Sequence, residues 1–185
     1  MDDWQSGASL STLRLRAKLL ATTREFFANK GVLEVETSAL SRFGSTDVYL
    51  NSISASLGSV TDWRQFHLQT SPELQMKRLL AMGIGSIYQI CKAFRDDPVT
   101  SLHNPEFTIV EWYRPSFSME KLMNEVEEYV QAVIGCGAIL RYRYQEVFEE
   151  KIGLNPHKCS LDEIERAAHS HLDIGSQGLH FTEYL

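Results

Sequence analysis

Residues 86–114 read SIYQICKAFRDDPVTSLHNPEFTIVEWYR, and this stretch decides the fold class. Two apolar runs, 86–95 and 107–114, flank a polar loop, a pattern that predicts two long antiparallel strands. Arg95 closes the first strand and Phe107 opens the second. A guanidinium can bind phosphate and an aromatic ring can stack on a purine, so this pair suits a nucleotide.

The segments before this hairpin predict two helices and several short strands. Residues 10–30 have apolar side chains at helical spacing, and Ser71-Pro72-Glu73 is a typical helix start for a helix ending near Gly83. The other expected elements are a strand over 32–37, an exposed hairpin over 41–62 in which Val48, Leu50 and Ile53 alternate, and a strand over 65–69.

The segments after it predict two more helices. Ser118 or Ser116 caps a helix that runs through Ile134, and Ser160 with Glu163 forms a capping box before a helix to about Leu172. In the first of these helices, the residues predicted as core are Met119, Leu122, Met123 and Val126. The whole order of elements predicts an α+β fold with a mostly antiparallel sheet flanked by helices.

Composition narrows the function classes. The chain has 185 residues, 43% of them hydrophobic, and a net charge of −6 without a Lys/Arg block, so binding to DNA is not indicated. Three widely spaced cysteines form no CxxC pair, which favours free thiols in a cytoplasmic protein over a zinc site or disulfides. No apolar run is long enough for a membrane span, and no signal peptide is recognisable.

Three segments in order resemble the lysyl branch of the class II aminoacyl-tRNA synthetases. They are motif 1 (about 10–38), the amino-acid loop (70–80) and motif 2 (about 86–114). The runs NPEFT at 104–108 and EWYRP at 111–115 are most similar to the lysine ligases of elongation factor P, the PoxA/GenX family. The resemblance implies activation of lysine or (R)-β-lysine by ATP, with Mg²⁺, and transfer to a lysine of elongation factor P.

The resemblance covers only the first part of such an enzyme. Residues 1–185 are interpreted as a partial catalytic domain without the OB-fold anticodon-binding domain, so tRNA is an unlikely partner. Motif 3 is absent, and with it most of the expected Mg²⁺ ligands. We therefore predict no metal ligand here and no activity for this chain alone.

By the same resemblance, five residues face ATP. Arg95 holds the α-phosphate and is the predicted catalytic residue, Phe107 stacks on adenine, and Asp97, His103 and Asn104 contact the nucleotide. Each has a structural alternative: a strand-end salt bridge for Arg95, core packing for Phe107, and turn chemistry for the other three.

Five further residues are assigned to the amino acid. Glu73 and Glu111 bind its ammonium groups, Tyr113 lines the pocket, and Ser71 and Pro72 shape the loop. Two carboxylates facing one cavity are costly unless a cation lies between them. Helix capping for Glu73 and core packing for Tyr113 are the alternatives.

The resemblance also implies a homodimer that buries Leu13, Leu20 or Phe27 of motif 1. Three departures from the family pattern, at Ser38, Asp97 and Ser101, leave alternatives open. These are a fragment of a lysine–tRNA ligase and a truncated, non-catalytic paralogue that acts as a binding module.

Overall fold

The computed structural model describes residues 7–59 and 62–171, which divide into two compact units after Cys136. The described part of the first unit contains α1 (Leu10–Asn29), β1 (Leu33–Glu34), β2 (Leu40–Ser41), β3 (Ser54–Ser59), β4 (Asp62–Leu68), α2 (Glu73–Ala81), β5 (Ile87–Phe94), β6 (Glu106–Tyr113) and α3 (Met119–Ile134). The second unit contains α4 (Tyr144–Ile152) and α5 (Leu161–His171). The predicted α+β class is confirmed.

Two three-stranded sheets form the first unit, with strand orders β1-β5-β6 and β2-β4-β3. The predicted antiparallel pair is confirmed as β5 and β6, in register from Ile87 opposite Tyr113 to Phe94 opposite Glu106. β1 runs parallel to β5, and its ladder ends where Glu34 pairs with Tyr88. The strand predicted over 32–37 is therefore only two residues long.

Aromatic rings form the core between α1, α3 and one face of the first sheet. Phe27 of α1 is fully buried and stacks on Tyr88 of β5 with ring centroids 4.4 Å apart. Trp112 of β6 and Tyr129 of α3 lie 5.3 and 5.5 Å from the same ring. Phe27 is therefore a core residue of its own chain, and its prediction as a dimer contact is wrong.

The prediction of a hairpin over 41–62 is also wrong. The hairpin is β3–β4, whose tip at 60–61 lies outside the described residues, and 42–53 is a loop. Ser45 and Asp47 accept hydrogen bonds from backbone N–H groups two residues ahead, at 3.1 and 3.0 Å. Such local bonds compete with strand pairing, and Val48 is 85% exposed.

Helix α3 has the predicted bounds but not the predicted core. Ser118 caps it by accepting a bond from the Lys121 N–H, and Gly135 ends it in the left-handed conformation with φ 72°. The four apolar residues predicted as core are exposed by 39% or more: Met119, Leu122, Met123 and Val126. Glu125 is the buried residue of this helix, because it binds Trp112 and Arg114.

The second unit contains one predicted helix and one that was missed. The capping box before α5 is confirmed: the Ser160 N–H donates to Glu163 Oε2 at 2.8 Å, and the Glu163 N–H donates to Ser160 Oγ at 3.3 Å. The predicted helix end at Leu172 lies outside the described residues. Helix α4 was not predicted. Within the described ranges, no helix is both long and apolar enough to span a membrane.

Candidate active site

The face of the β5–β6 pair that points away from the aromatic core carries the predicted substrate residues. Side chains alternate between the faces of a strand, and residues directly opposite in an antiparallel pair share a face. Phe107 lies opposite Ala93, Glu111 opposite Gln89, and Tyr113 opposite Ile87. Phe107, Glu111 and Tyr113 are partly buried, so this face is neither solvent-exposed surface nor closed core.

Arg95 and Phe107, the predicted nucleotide pair, lie together. The Arg95 N–H donates to the Pro105 carbonyl at 2.9 Å, which continues the pairing of the two strands. Its guanidinium lies over the Phe107 ring, 5.1 Å from the centroid. Cation–π contact of this kind holds a guanidinium beside a ring. An arginine next to an aromatic ring can bind a phosphate beside a stacked base.

The amino-acid loop reaches the same place. Arg95 Nε also donates to the Thr70 carbonyl at 3.4 Å, so the residue before Ser71 contacts the arginine predicted to bind the nucleotide. Pro72 occupies the N-cap position of α2 without a side-chain cap, while Ser71 Oγ accepts from the Glu73 N–H at 3.3 Å. The predicted capping role of Ser71 is thus shifted by one residue.

Glu73 begins α2 and is about half exposed. Its carboxylate forms an ion pair with Lys77 one turn along the helix, at 2.5 Å. Exposed pairs of this kind contribute only about 0.3–0.5 kcal/mol. A substrate ammonium could therefore displace Lys77 at little cost.

Tyr113 and Glu111 form a close pair in which the phenol donates to Glu111 Oε1 at 2.5 Å. Burial raises the pKa of Tyr113 well above its ordinary value, and the hydrogen bond to Glu111 and the charges of Glu111 and Glu73 raise it further. The phenol therefore stays neutral, and both carboxylates act on the same group. Two carboxylates around a neutral donor favour a cation.

The other three residues predicted to contact the nucleotide lie in the loop 97–104. His103 and Asn104 are exposed, and His103 Nδ1 lies 2.9 Å from the Thr100 hydroxyl of its own loop. Asp97 is partly buried. Their predicted contact with ATP stays a prediction, as does the predicted partial catalytic domain over 1–185.

Several polar residues at the site were missed from the sequence. Gln89 is 1% exposed, lies opposite Glu111 and accepts a hydrogen bond from the Thr37 hydroxyl at 3.0 Å. Gln69, immediately before the amino-acid loop, is 9% exposed. The only signal for Gln89 was a polar residue within an apolar strand, and it does not identify the partner of the glutamine. Burial raises the pKa of the neighbouring Cys91, which makes its thiol a poor nucleophile.

Two clefts border this region. One of about 260 Å³ is lined by the 43–47 loop together with Gln69, Ser71 and Glu73. The other, of about 570 Å³, is lined by residues that include Thr37, Gln69, Gln89 and Cys91. Among residues 7–59 and 62–171, no three His, Cys, Asp or Glu side chains are grouped closely enough to hold a metal ion.

Comparison with known proteins identifies the family of the chain. The sequence profile of the tRNA synthetases class II (D, K and N) matches residues 2–156. A protein of Histophilus somni (strain 2336) named elongation factor P–(R)-β-lysine ligase is 46% identical over 175 residues, which are 93% of this chain and 54% of that protein. Proteins of the same name from Haemophilus ducreyi and Pasteurella multocida are 46% and 44% identical, over 91% and 95% of this chain and 52% and 55% of their own lengths. The chain thus spans about half the length of the curated relatives it matches.

Proposed function

Because the chain belongs to the class II tRNA synthetases of the D, K and N group, we propose that it is the N-terminal part of an ATP-dependent ligase. The ligase activates lysine or (R)-β-lysine as an adenylate and transfers it to a lysine of elongation factor P. The names of the relatives support this amino acid and this acceptor. The observation that supports the proposal is that Phe107, with the Arg95 guanidinium over its ring, lies on the same sheet face as the bonded pair Glu111 and Tyr113.

The proposed first step is adenylation. A carboxylate oxygen of the amino acid attacks the α-phosphorus of ATP, and pyrophosphate leaves. Arg95 neutralises the charge that grows on the α-phosphate, while Phe107 stacks on the adenine. Asp97, His103 and Asn104 are proposed to contact the rest of the nucleotide. Mg²⁺, the expected partner of ATP, would take its ligands outside the described residues.

Positioning of the amino acid is assigned to the carboxylate side of the site. Glu73 and Glu111 hold its ammonium groups, and Tyr113 supplies a neutral hydroxyl beside them. Ser71 and Pro72 shape the loop through the turn that begins α2. Fixing the ammonium places the carboxylate in line with the α-phosphorus, and such orientation removes much of the entropic barrier.

In the proposed second step, the ε-amine of a lysine of elongation factor P attacks the carbonyl carbon of the adenylate. An amide bond forms, AMP leaves with the former carboxylate oxygen, and the amine loses a proton. No protein nucleophile is required. Such a ligase acts in the cytoplasm, and neither tRNA, DNA nor a membrane is needed as a partner.

We also propose that the full protein is a homodimer through α1. With Phe27 buried in the core, the contact has to use the exposed apolar residues of this helix, such as Leu10 at 62% and Leu13 at 44% exposure. Sedimentation of the full protein should give a dimer at micromolar concentration. A monomer in wild type, or an undiminished dimer after Leu13→Asp, would count against this contact.

The test of the proposed function is ATP–pyrophosphate exchange by the full-length protein with lysine or (R)-β-lysine, followed by acyl transfer to purified elongation factor P or to tRNA. We expect exchange with one of the two amino acids and transfer to elongation factor P. Glu111→Gln should abolish the exchange. Glu128→Gln, on the exposed side of α3, should leave the exchange unchanged. Transfer to tRNA would support a lysine–tRNA ligase, and no exchange would support a non-catalytic module.

A further inference from the structure

Gln69 lies at the junction of the two sheets of the first unit. It follows β4, and its N–H donates to the Ala39 carbonyl beside β2 at 2.9 Å. Its own carbonyl accepts from the Phe94 N–H at the end of β5, also at 2.9 Å. The backbone of this one residue therefore ties the β2-β4-β3 sheet to the β1-β5-β6 sheet.

The side chain of Gln69 adds a third tie. Its Nε2 donates to the Lys92 carbonyl at 2.8 Å and lies 3.5 Å from Cys91 Sγ. The parallel ladder of β1 along this edge of β5 ends at Tyr88. Beyond that point the Gln69 amide takes the place of a strand partner for β5.

The residues that follow Gln69 and Phe94 belong to the two halves of the proposed site, which bind the amino acid and the nucleotide. Thr70, directly after Gln69, accepts a hydrogen bond from Arg95 Nε, and Arg95 directly follows Phe94. Ser71 and Glu73 follow on the amino-acid side. The distance between the proposed α-phosphate ligand and the proposed ammonium ligand is therefore set across the Gln69 junction.

The two polar atoms of the Gln69 side chain differ in their hydrogen bonding. Nε2 is bonded, but Oε1 is buried and has no hydrogen-bond partner among the described residues. An unpaired buried acceptor is unfavourable, and methionine would fill the same volume without it. Packing alone therefore does not explain a glutamine here, whereas a requirement for the Nε2–Lys92 bond does.

We infer that Gln69 is a positioning residue that holds the amino-acid loop and Arg95 at the separation needed for in-line attack. This inference rests on the proposed adenylation function. Gln69 acts through its neighbours, because its bonds are to Ala39, Lys92 and Phe94. Loss of the Nε2 donor lets the loop move relative to β5, and small misplacements of reacting groups reduce turnover strongly.

The test compares Gln69→Met with wild type in the full-length protein, using ATP–pyrophosphate exchange at varied lysine or (R)-β-lysine and ATP. We expect kcat to fall about 10²-fold, with both KM values within about threefold of wild type. The melting temperature should stay near that of wild type, because removal of the unpaired buried acceptor offsets the loss of the bond to the Lys92 carbonyl. Gln65→Met is the matched control: Gln65 is an exposed glutamine on β4 whose Nε2 donates to Ser54, and its kcat should not change.

An unchanged kcat in Gln69→Met, or a lower melting temperature with unchanged kcat below the transition, would overturn the inference. If Gln69→Met does not fold, Gln69→Asn replaces it, because it keeps an amide but withdraws it by one methylene. The same loss of kcat is expected, and wild-type kcat in Gln69→Asn would overturn the inference equally. A wild-type protein without exchange would instead refute the proposed function, so the two failures are distinguishable.

Discussion

The two faces of the β1-β5-β6 sheet are built by alternate residues of the same strands. They differ in the side chains that they carry and in the partners to which the polar groups bond. The face under α1 and α3 carries Tyr88 and Trp112, whose rings pack around Phe27. Its polar groups are bonded to carboxylates: the Tyr88 hydroxyl donates to the exposed Glu34 at 2.8 Å and Trp112 Nε1 donates to the buried Glu125 at 3.1 Å. The opposite face carries Glu111 and Tyr113, whose polar groups bond to each other.

Because of this difference, we expect one face to determine stability and the other to determine ligand binding. Burial of aromatic area is the main stabilising term on the helix-covered face. On the opposite face, here called the open face, the Glu111 carboxylate accepts a hydrogen bond from the Tyr113 hydroxyl, and a carboxylate there favours a cationic ligand. Substitutions on the first face should therefore change unfolding, and those on the second should change ligand affinity and turnover.

The largest expected effect is on the covered face. Phe27→Ala should lower the free energy of unfolding by about 3–5 kcal/mol, because it removes the ring that the other aromatic side chains surround. Urea unfolding followed by tryptophan fluorescence measures this. Phe43→Ala, at an 81% exposed position, is the control and should change stability by less than about 0.5 kcal/mol. Equal effects of the two substitutions would contradict the assignment of the core.

On the open face, Arg95→Ala should reduce the rate of adenylation by about 10²-fold or more, with little change in lysine affinity. Arg95 meets charge that grows in the transition state, so its loss appears in turnover, at roughly 2.7–4 kcal/mol. The measurement is ATP–pyrophosphate exchange by the full-length protein, with the exposed Arg64→Ala as control. A higher KM for lysine with unchanged turnover would show that Arg95 does not hold the α-phosphate.

A smaller effect is expected from Glu73→Gln, at the start of α2 in the same proposed site. A carboxylate that faces an ammonium acts in the ground state and the transition state alike, so lysine affinity should fall about tenfold, or about 1.4 kcal/mol. Calorimetric titration of the full-length protein with lysine and, separately, with ATP measures it. Weaker ATP binding with unchanged lysine binding would reverse the assignment of the two halves of the site.

The smallest expected effect tests the covered face by pH. Burial, with the hydrogen bond to Glu34 next in size, raises the pKa of Tyr88 to about 12 from the ordinary 10.0. Because the folded pKa is the higher one, this stabilisation is complete below about pH 10 and is lost as the pH rises through about 12. Tyr88→Phe should cost about 1 kcal/mol at pH 8, and the difference from wild type should shrink towards pH 12.

The control for this series is Tyr49→Phe, since Tyr49 is 80% exposed and its substitution should not change stability at pH 8. Free energies of unfolding at several pH values between 8 and 12 are sufficient. A constant difference between wild type and Tyr88→Phe over this range would show that the Tyr88 phenol ionises no differently in the folded and unfolded chain.

Most of the regular elements could be predicted because their signals are local. The caps at Ser118 and Ser160, the left-handed Gly31 and Gly135, and the two apolar runs of β5 and β6 depend on a few neighbouring residues. The loop over 42–53 was mistaken for a strand because alternating residues resemble one. The local hydrogen bonds that Ser45 and Asp47 accept stabilise a loop in this segment instead.

The candidate site could be predicted by motif but not by geometry. The run 104–108 and the carboxylates Glu73 and Glu111 can be read from the sequence. Gln69 and Gln89 could not, because a glutamine carries no sign of its partner until the strands are aligned. Their burial follows from contacts between segments twenty or more residues apart, such as Gln69 with Lys92 and Thr37 with Gln89.

The sequence by itself determined where most of the helices begin, which strands pair across the 95–106 loop, and which residues carry charge or rings. Only the tertiary structure decided which face of each element is buried. Helix α3 shows the reason, since its apolar stripe at Leu122 and Val126 stays exposed while Glu125 is buried. Trp112 and Arg114 offer Glu125 a donor and a positive charge at 3.1 and 3.2 Å, and a paired buried charge is tolerated where an unpaired one is not. Those partners come from another element, so no local pattern could contain them.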